Sequence, residues 1–156
     1  MKMIIRDSIL IDLVVHKDPR GQLFEIMRSD ARYFHGFGQA YVTACNPGYV
    51  KAWHYHKKQW DNFCVVNGKM RVVLYDNRET SKSCGKVQVI DLSSSKPQLL
   101  IIPPKVVHGF ACISKKACYV LNMPTKLYNY KTPDEFRIPL ASETVPYRLW
   151  RKCKGW

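Results

Sequence analysis

Short apolar segments separated by turn signals recur along most of the 156-residue chain, and that rhythm narrows the fold more than any other feature. Segments 9–15, 23–27, 40–45, 49–53, 63–66, 70–75, 87–90, 99–102, 109–113 and 117–121 are rich in Val, Ile, Tyr and Phe. Such side chains suit a pleated, half-buried surface. Their spacing of about ten residues is the mark of a β-sandwich or barrel. Asn67-Gly68, set between two apolar runs, reads as a β-hairpin turn. Helix signals are sparse. Residues 29–34, capped by Ser29 or Asp30, and residues 134–137 after Pro133 each allow about one turn. The expectation is an all-β single domain over 1–156 with few short helices. The tail 137–156 carries Pro139 and Pro146 without clear periodicity and reads as a wrapping arm.

Composition excludes several classes. A hydrophobic fraction of 46% with dispersed aromatics argues against disorder. Arg6 and Asp7 interrupt the first apolar run too early for a secretory signal, and no stretch approaches the length of a membrane helix, so the reading is cytoplasmic and not membrane-bound. The six cysteines form no Cys-x-x-Cys pair and are expected to be reduced. Lys and Arg number 25 against 12 Asp and Glu, a net charge of +13. No aromatic-rich nucleic-acid signature accompanies them. A diphosphate-bearing small molecule and a merely solvated basic surface both fit this charge.

The stretch 48–68 carries the chemistry. His54 and His56 are two apart, so on a strand they share one face, with Trp53 and Tyr55 on the other. Asp61 follows across a short turn, and His108 follows Pro103-Pro104 at the start of a later strand. Histidine is the usual base for a proton beside a ketone. Asp61 is placed to orient His54 or His56, and Lys51, His56 and His108 are candidates to stabilise an enolate. The same His54, His56, His108 and Asp61 also make a three-histidine, one-carboxylate metal set, which stays open as an alternative.

Gly48, His54, His56 and Gly68 match the intervals of the first cupin motif, with Asp61 in the glutamate position and Pro103 and His108 left of the second. The chain therefore resembles the cupins, which implies a double-stranded β-helix, or jelly-roll barrel, with the motif facing inward. A second resemblance covers more of the chain. Asp18-Pro19-Arg20-Gly21 with Phe24-Glu25, Lys51 to Tyr55, Gly68 with Asp76-Asn77-Arg78, His108-Gly109-Phe110, and Tyr128 followed by Asp134-Glu135 are similar to the dTDP-4-dehydrorhamnose 3,5-epimerase family in order and spacing. That resemblance implies an enzyme acting on a 4-keto-6-deoxy nucleotide-diphosphate sugar by proton abstraction beside the ketone. It implies no metal, no other cofactor and a homodimer in which the segment 20–27 crosses to the neighbouring subunit. It puts His54 at the catalytic base and His108 near the sugar, with Arg20, Glu25, Lys51, His56, Arg78 and Tyr128 on the substrate-binding side.

Three departures stand out. Asn122 falls where the family keeps its catalytic tyrosine, Asp61 falls on the family's active-site lysine, and the family's C-terminal aspartate has no counterpart. Inversion is therefore expected to be weak, confined to one carbon, or replaced by a keto shift. A 3,4-ketoisomerase, a metal-dependent cupin oxygenase or isomerase, and a non-catalytic sugar-binding cupin remain the rival readings.

Overall fold

Alternation along the strands sorts the side chains between one enclosed interior and two covered outer faces. The computed structural model describes residues 1–155. Its strands are β1 (Ile9–Asp12), β2 (Val15–Asp18), β3 (Gly21–Phe24), β4 (Tyr41–Cys45), β5 (Val50–Tyr55), β6 (Asp61–Asn67), β7 (Lys69–Asp76), β8 (Val87–Ser93), β9 (Gln98–Ile102), β10 (Val106–Cys112), β11 (Cys118–Asn122) and β12 (Phe136–Arg137). They form two antiparallel five-stranded sheets, ordered β1-β9-β6-β11-β4 and β12-β5-β10-β7-β8, and a separate β2-β3 hairpin. The architecture is all-β and cupin-like, as the strand rhythm and the motif resemblance implied.

The core between the sheets takes Phe63 and Val65 of β6, Val72 and Leu74 of β7, Leu100 and Ile102 of β9, Val106 and Phe110 of β10, and Val120 of β11. Residues of opposite parity line the outer faces. Leu99 and Ile101 lie under Ile9, Ile11, Ile26 and Met27. Val50, Ala52, Trp53, Val107 and Ala111 lie under Leu140, Val145 and Trp150 of the C-terminal segment, where Trp53 and Trp150 stack at 5.1 Å. The sheets are thus buried on both faces, which explains why β10 is buried along its whole length.

Parity also places the polar groups. Asp61 shares the inward face with Phe63 and Val65, His108 with Val106 and Phe110, and Asn122 with Val120 and Cys118. On β4, Tyr41 and Thr43 share a face with the core residue Cys45. On β5 the register against β10 slips between His108↔His54 and Gly109↔Ala52, leaving Trp53 as the extra residue. A bulge of this kind resets the alternation. Lys51 and His54, three residues apart, therefore line the same space. Gly109 permits the close approach of these strands, since a Cβ there would sit 2.2 Å from that of Ala52.

Three local expectations are corrected. Asn67-Gly68 is a turn, with Gly68 at φ 79°, but not a hairpin. β6 pairs with β9 and β11 while β7 pairs with β10 and β8, so the turn carries the chain from one sheet to the other. Both strands pair elsewhere, and at Gly68 a side chain would combine a strained φ with crowding, its Cβ 2.8 Å from Ser114 Oγ and 3.1 Å from Cys118 Cβ. Residues 29–34 form bends and turns rather than a helix. Residues 136–137 pair antiparallel alongside β5 as the edge strand β12, and Asp134 caps a loop instead of a helix. A single 3₁₀ turn at Arg148–Trp150 is the helical content of the described residues.

Candidate active site

The inward polar groups collect at one end of the barrel, where β4 begins and β5 and β11 end. His54 and His108 are cross-strand neighbours with ring centroids 4.1 Å apart, and His56 stands 5.7 Å from His54 and 5.9 Å from His108. Asp61, 2% exposed, is the hub. Its Oδ2 lies 3.1 Å from His56 Nε2 and 3.2 Å from His108 Nε2. Its Oδ1 accepts from Gln59 Nε2 and Asn122 Nδ2, both at 2.9 Å. His108 Nε2 approaches the carboxylate without the alignment of a directed hydrogen bond. His108 Nδ1 faces the Val106 carbonyl at 3.0 Å.

His56 is held from both sides. Its Nδ1 faces the Asp134 carbonyl oxygen, and the Asp134 carboxylate accepts from the Lys57, Lys58 and Gln59 N–H groups at 2.9, 2.8 and 3.1 Å. A carbonyl and a carboxylate both need a donor, so both ring nitrogens carry protons and His56 is an imidazolium. Burial alone would lower its pKa, but Asp61 and then Asp134 outweigh burial and raise it to about 9. Asp61 answers in kind. Burial pushes its carboxyl up, yet His108 and His56 hold it well below the usual carboxylate range. Asp61 therefore orients His56, not His54.

His54 is the contrasting group. Burial, reinforced by the neighbouring His108, holds its imidazole well below the ordinary histidine range, so it is neutral. Its Nδ1 has no hydrogen-bond partner. The ring lines an open cavity with Tyr41, Thr43, Lys51, Phe110, Glu135 and Arg137. Lys51 Nζ donates to Thr43 Oγ1 at 2.7 Å, and Arg137 pairs with Glu135 at 2.8 Å.

Of the residues singled out from sequence, His54, His56, Asp61, His108, Asn122 and Lys51 come together here. Four others do not line this cavity. Arg20 is at the tip of the β2-β3 hairpin, 90% exposed and paired with Asp18. Glu25 pairs with Arg28. Arg78 is locked to Asp76 and Asp7. Tyr128 packs edge-on against Tyr130. Sequence reasoning missed Tyr41, Thr43, Glu135 and Arg137. Tyr41 was findable only as an inward-parity residue of a predicted strand.

Ligand atoms of His54, His56, Asp61 and His108 all lie within 4.8 Å of one another, close enough to hold a metal ion. Among the described residues no helix is long and apolar enough to cross a membrane.

Comparison with known proteins accords with this arrangement. The chain is 39% identical over 135 residues to the spore coat polysaccharide biosynthesis protein SpsL of Bacillus subtilis, covering 86% of this chain and 89% of that one. It is 38% identical over 137 residues to the probable low-salt glycan biosynthesis epimerase Agl13 of Haloferax volcanii, covering 86% and 88%. The crystal structure of a dTDP sugar isomerase from Desulfovibrio desulfuricans G20 superposes with a TM-score of 0.89 at 28% identity, covering 97% of this chain and 96% of that one. A sequence model described as dTDP-4-dehydrorhamnose 3,5-epimerase matches residues 2–146, and with the inward histidine cluster in place the chain belongs to that family of nucleotide-sugar epimerases and isomerases.

Proposed function

We propose that the protein removes a proton from a carbon beside the 4-keto group of a nucleotide-linked 6-deoxy sugar, with His54 as the base. The observation that carries this reading is the state of His54: a neutral, half-buried imidazole that lines an open cavity, with its buried Nδ1 left without a hydrogen-bond partner. A base must be unprotonated and reachable, and His54 is both. Positive charge from Lys51 and from the imidazolium of His56 supports the enolate that forms. The +13 net charge favours a diphosphate-bearing substrate. Arg20 and Glu25 stand on an exposed hairpin away from the cavity, so we assign them to the neighbouring subunit's site in a homodimer, which light scattering at micromolar concentration checks. This reading puts the protein in the cytoplasm with the nucleotide-sugar pool.

The test is incubation with dTDP-4-keto-6-deoxyglucose in D2O. Deuterium is expected beside the ketone, and His54→Asn is expected to slow its incorporation about 10²–10⁴-fold. No exchange by the unmodified protein would reduce the chain to a sugar-binding cupin. Product identity by NMR separates inversion from a keto shift.

The unpartnered His54 Nδ1 and His108 Nε2 favour a second reading, a divalent metal held by His54, His56, His108 and Asp61. Against it, both oxygens of Asp61 are already engaged, by two amides and two imidazoles. Metal analysis of the purified protein decides. Stoichiometric zinc, iron, nickel or manganese, with exchange lost to a chelator, would replace His54 as base by a metal-centred site.

A further inference from the structure

Inversion beside a ketone needs two groups on opposite sides of the substrate, one to take the proton and one to return it to the other face. His54 stands on β5, in the β12-β5-β10-β7-β8 sheet. The opposite sheet contributes Tyr41 and Thr43 of β4 to the same cavity. Asn122 offers only an amide, which is no acid at useful pH. Its surroundings, however, aim it at something that is. Asn122 Oδ1 accepts from the Asn62 N–H at 2.9 Å, which fixes the amide so that its NH2 points the other way. That NH2 donates to Asp61 Oδ1 and to the Tyr41 hydroxyl oxygen, both at 2.9 Å.

Asn122 and Tyr41 are direct cross-strand partners on β11 and β4, so their side chains share the inward face. Because the phenol oxygen accepts from Asn122, its own O–H is left to point elsewhere, and the cavity is the open side. We propose that Tyr41 is the proton donor that completes inversion, with Asn122 as the residue that positions it. The inference rests on the function proposed above.

The step balances. His54 takes the proton as the C–H bond beside the ketone breaks, and the electron pair enters the enolate. The Tyr41 O–H bond then breaks as a new C–H bond forms on the opposite face. Imidazolium and tyrosinate remain, and solvent resets both, since Tyr41 is 42% exposed. The Asn122 N–H stabilises the tyrosinate oxygen at the moment charge develops. Burial, and then the Asp61 charge, raise the phenol to about 12, so it keeps its proton until called on.

The other groups of the cavity suit the role less well. Lys51 is on the same strand as the base and donates to Thr43, the Glu135 carboxylate accepts from Arg137, and a guanidinium does not give up its proton. Tyr119, on β11 beside Asn122, has the opposite parity and faces solvent.

The test is Tyr41→Phe with dTDP-4-keto-6-deoxyglucose in D2O, following deuterium incorporation and inversion separately by NMR. Exchange is expected to stay within a few-fold of the unmodified protein, while inversion falls about 10²–10⁴-fold. Tyr119→Phe is expected to change neither. Asn122→Leu, if folded by circular dichroism, is expected to lower inversion more than exchange and to move the alkaline limb of the inversion rate. A purely structural role would lower both together. Inversion by Tyr41→Phe at the unmodified rate would overturn the proposal while leaving His54 as base. Exchange without inversion in the unmodified protein would also overturn it. Absence of exchange altogether would remove the underlying function, and this inference with it.

Discussion

The polar end of the barrel interior and the β2-β3 hairpin both carry charged residues, yet they use them oppositely. Inside, Asp61 is surrounded by two imidazoles and two amides, His56 and Gln59 from the loop just before it and His108 and Asn122 from two distant strands. On the hairpin, Arg20 pairs with Asp18 two residues away, and Leu23 on the same hairpin is 61% exposed. A buried charge must bring a complete set of partners or lose its ionised form, whereas an exposed one is satisfied by water. The buried cluster around Asp61 is therefore satisfied within one chain. The hairpin is half of something, with an unpaired sheet edge that invites another surface.

Four measurements sharpen or break that contrast. The largest effect is expected from Asp61→Ala, which leaves the His56 charge buried without its partner. Breaking such a pair costs about 3–5 kcal/mol. Urea unfolding should show the loss, and a change under about 1 kcal/mol would mean that the interior does not depend on its hub.

The next effect is a two-sided pH dependence of stability. His56 is raised from 6.5 to about 9 in the folded protein. Above pH 6.5 the unfolded chain releases this proton while the folded one keeps it, so this contribution is full below 6.5 and is lost as pH rises through about 9. His54 is lowered from 6.5. Below pH 6.5 the unfolded chain takes up a proton that the folded one refuses, so its contribution is lost as pH falls. Stability should decline on both sides of about pH 6.5. His56→Gln should flatten the alkaline arm and His54→Gln the acidic arm. An unchanged profile in either variant would dissociate the histidine from its arm.

Smaller still is the kinetic counterpart. The acidic limb of kcat/KM should fall below pH 6.5, because the free base is already neutral there. A limb near pH 9 would assign the base to His56 instead.

The smallest structural effect is expected on the hairpin. Arg20→Ala should leave the urea midpoint unchanged and raise KM for the nucleotide sugar more than it lowers kcat. A shifted midpoint would make Arg20 a structural residue, and an unchanged KM would detach the hairpin from substrate binding.

Much of the site was legible because it rests on local periodicity. His54 and His56 share a face because a strand repeats every two residues, and Asp61, His108 and Asn122 sit in phase with the apolar residues of their own strands. What escaped depends on pairings between distant segments. Tyr41 meets Asn122 across 81 residues of chain. Lys51 joins His54 only because β5 bulges against β10 at Trp53. Asn67-Gly68 has the composition of a hairpin, but its flanking strands pair with others. Asp134 reads as a helix start and instead holds the loop that carries His56.

The strand rhythm, the alternation along the unbulged strands and the identity of the histidines that enter the barrel follow from the sequence alone, because alternation and burial are properties of a few neighbouring residues. Only the tertiary structure decided which histidine is charged, which is neutral, and which hydroxyl lines the same cavity. Those are matters of register and distance between strands far apart in the chain, and a one-residue slip in register reverses the face on which a side chain stands.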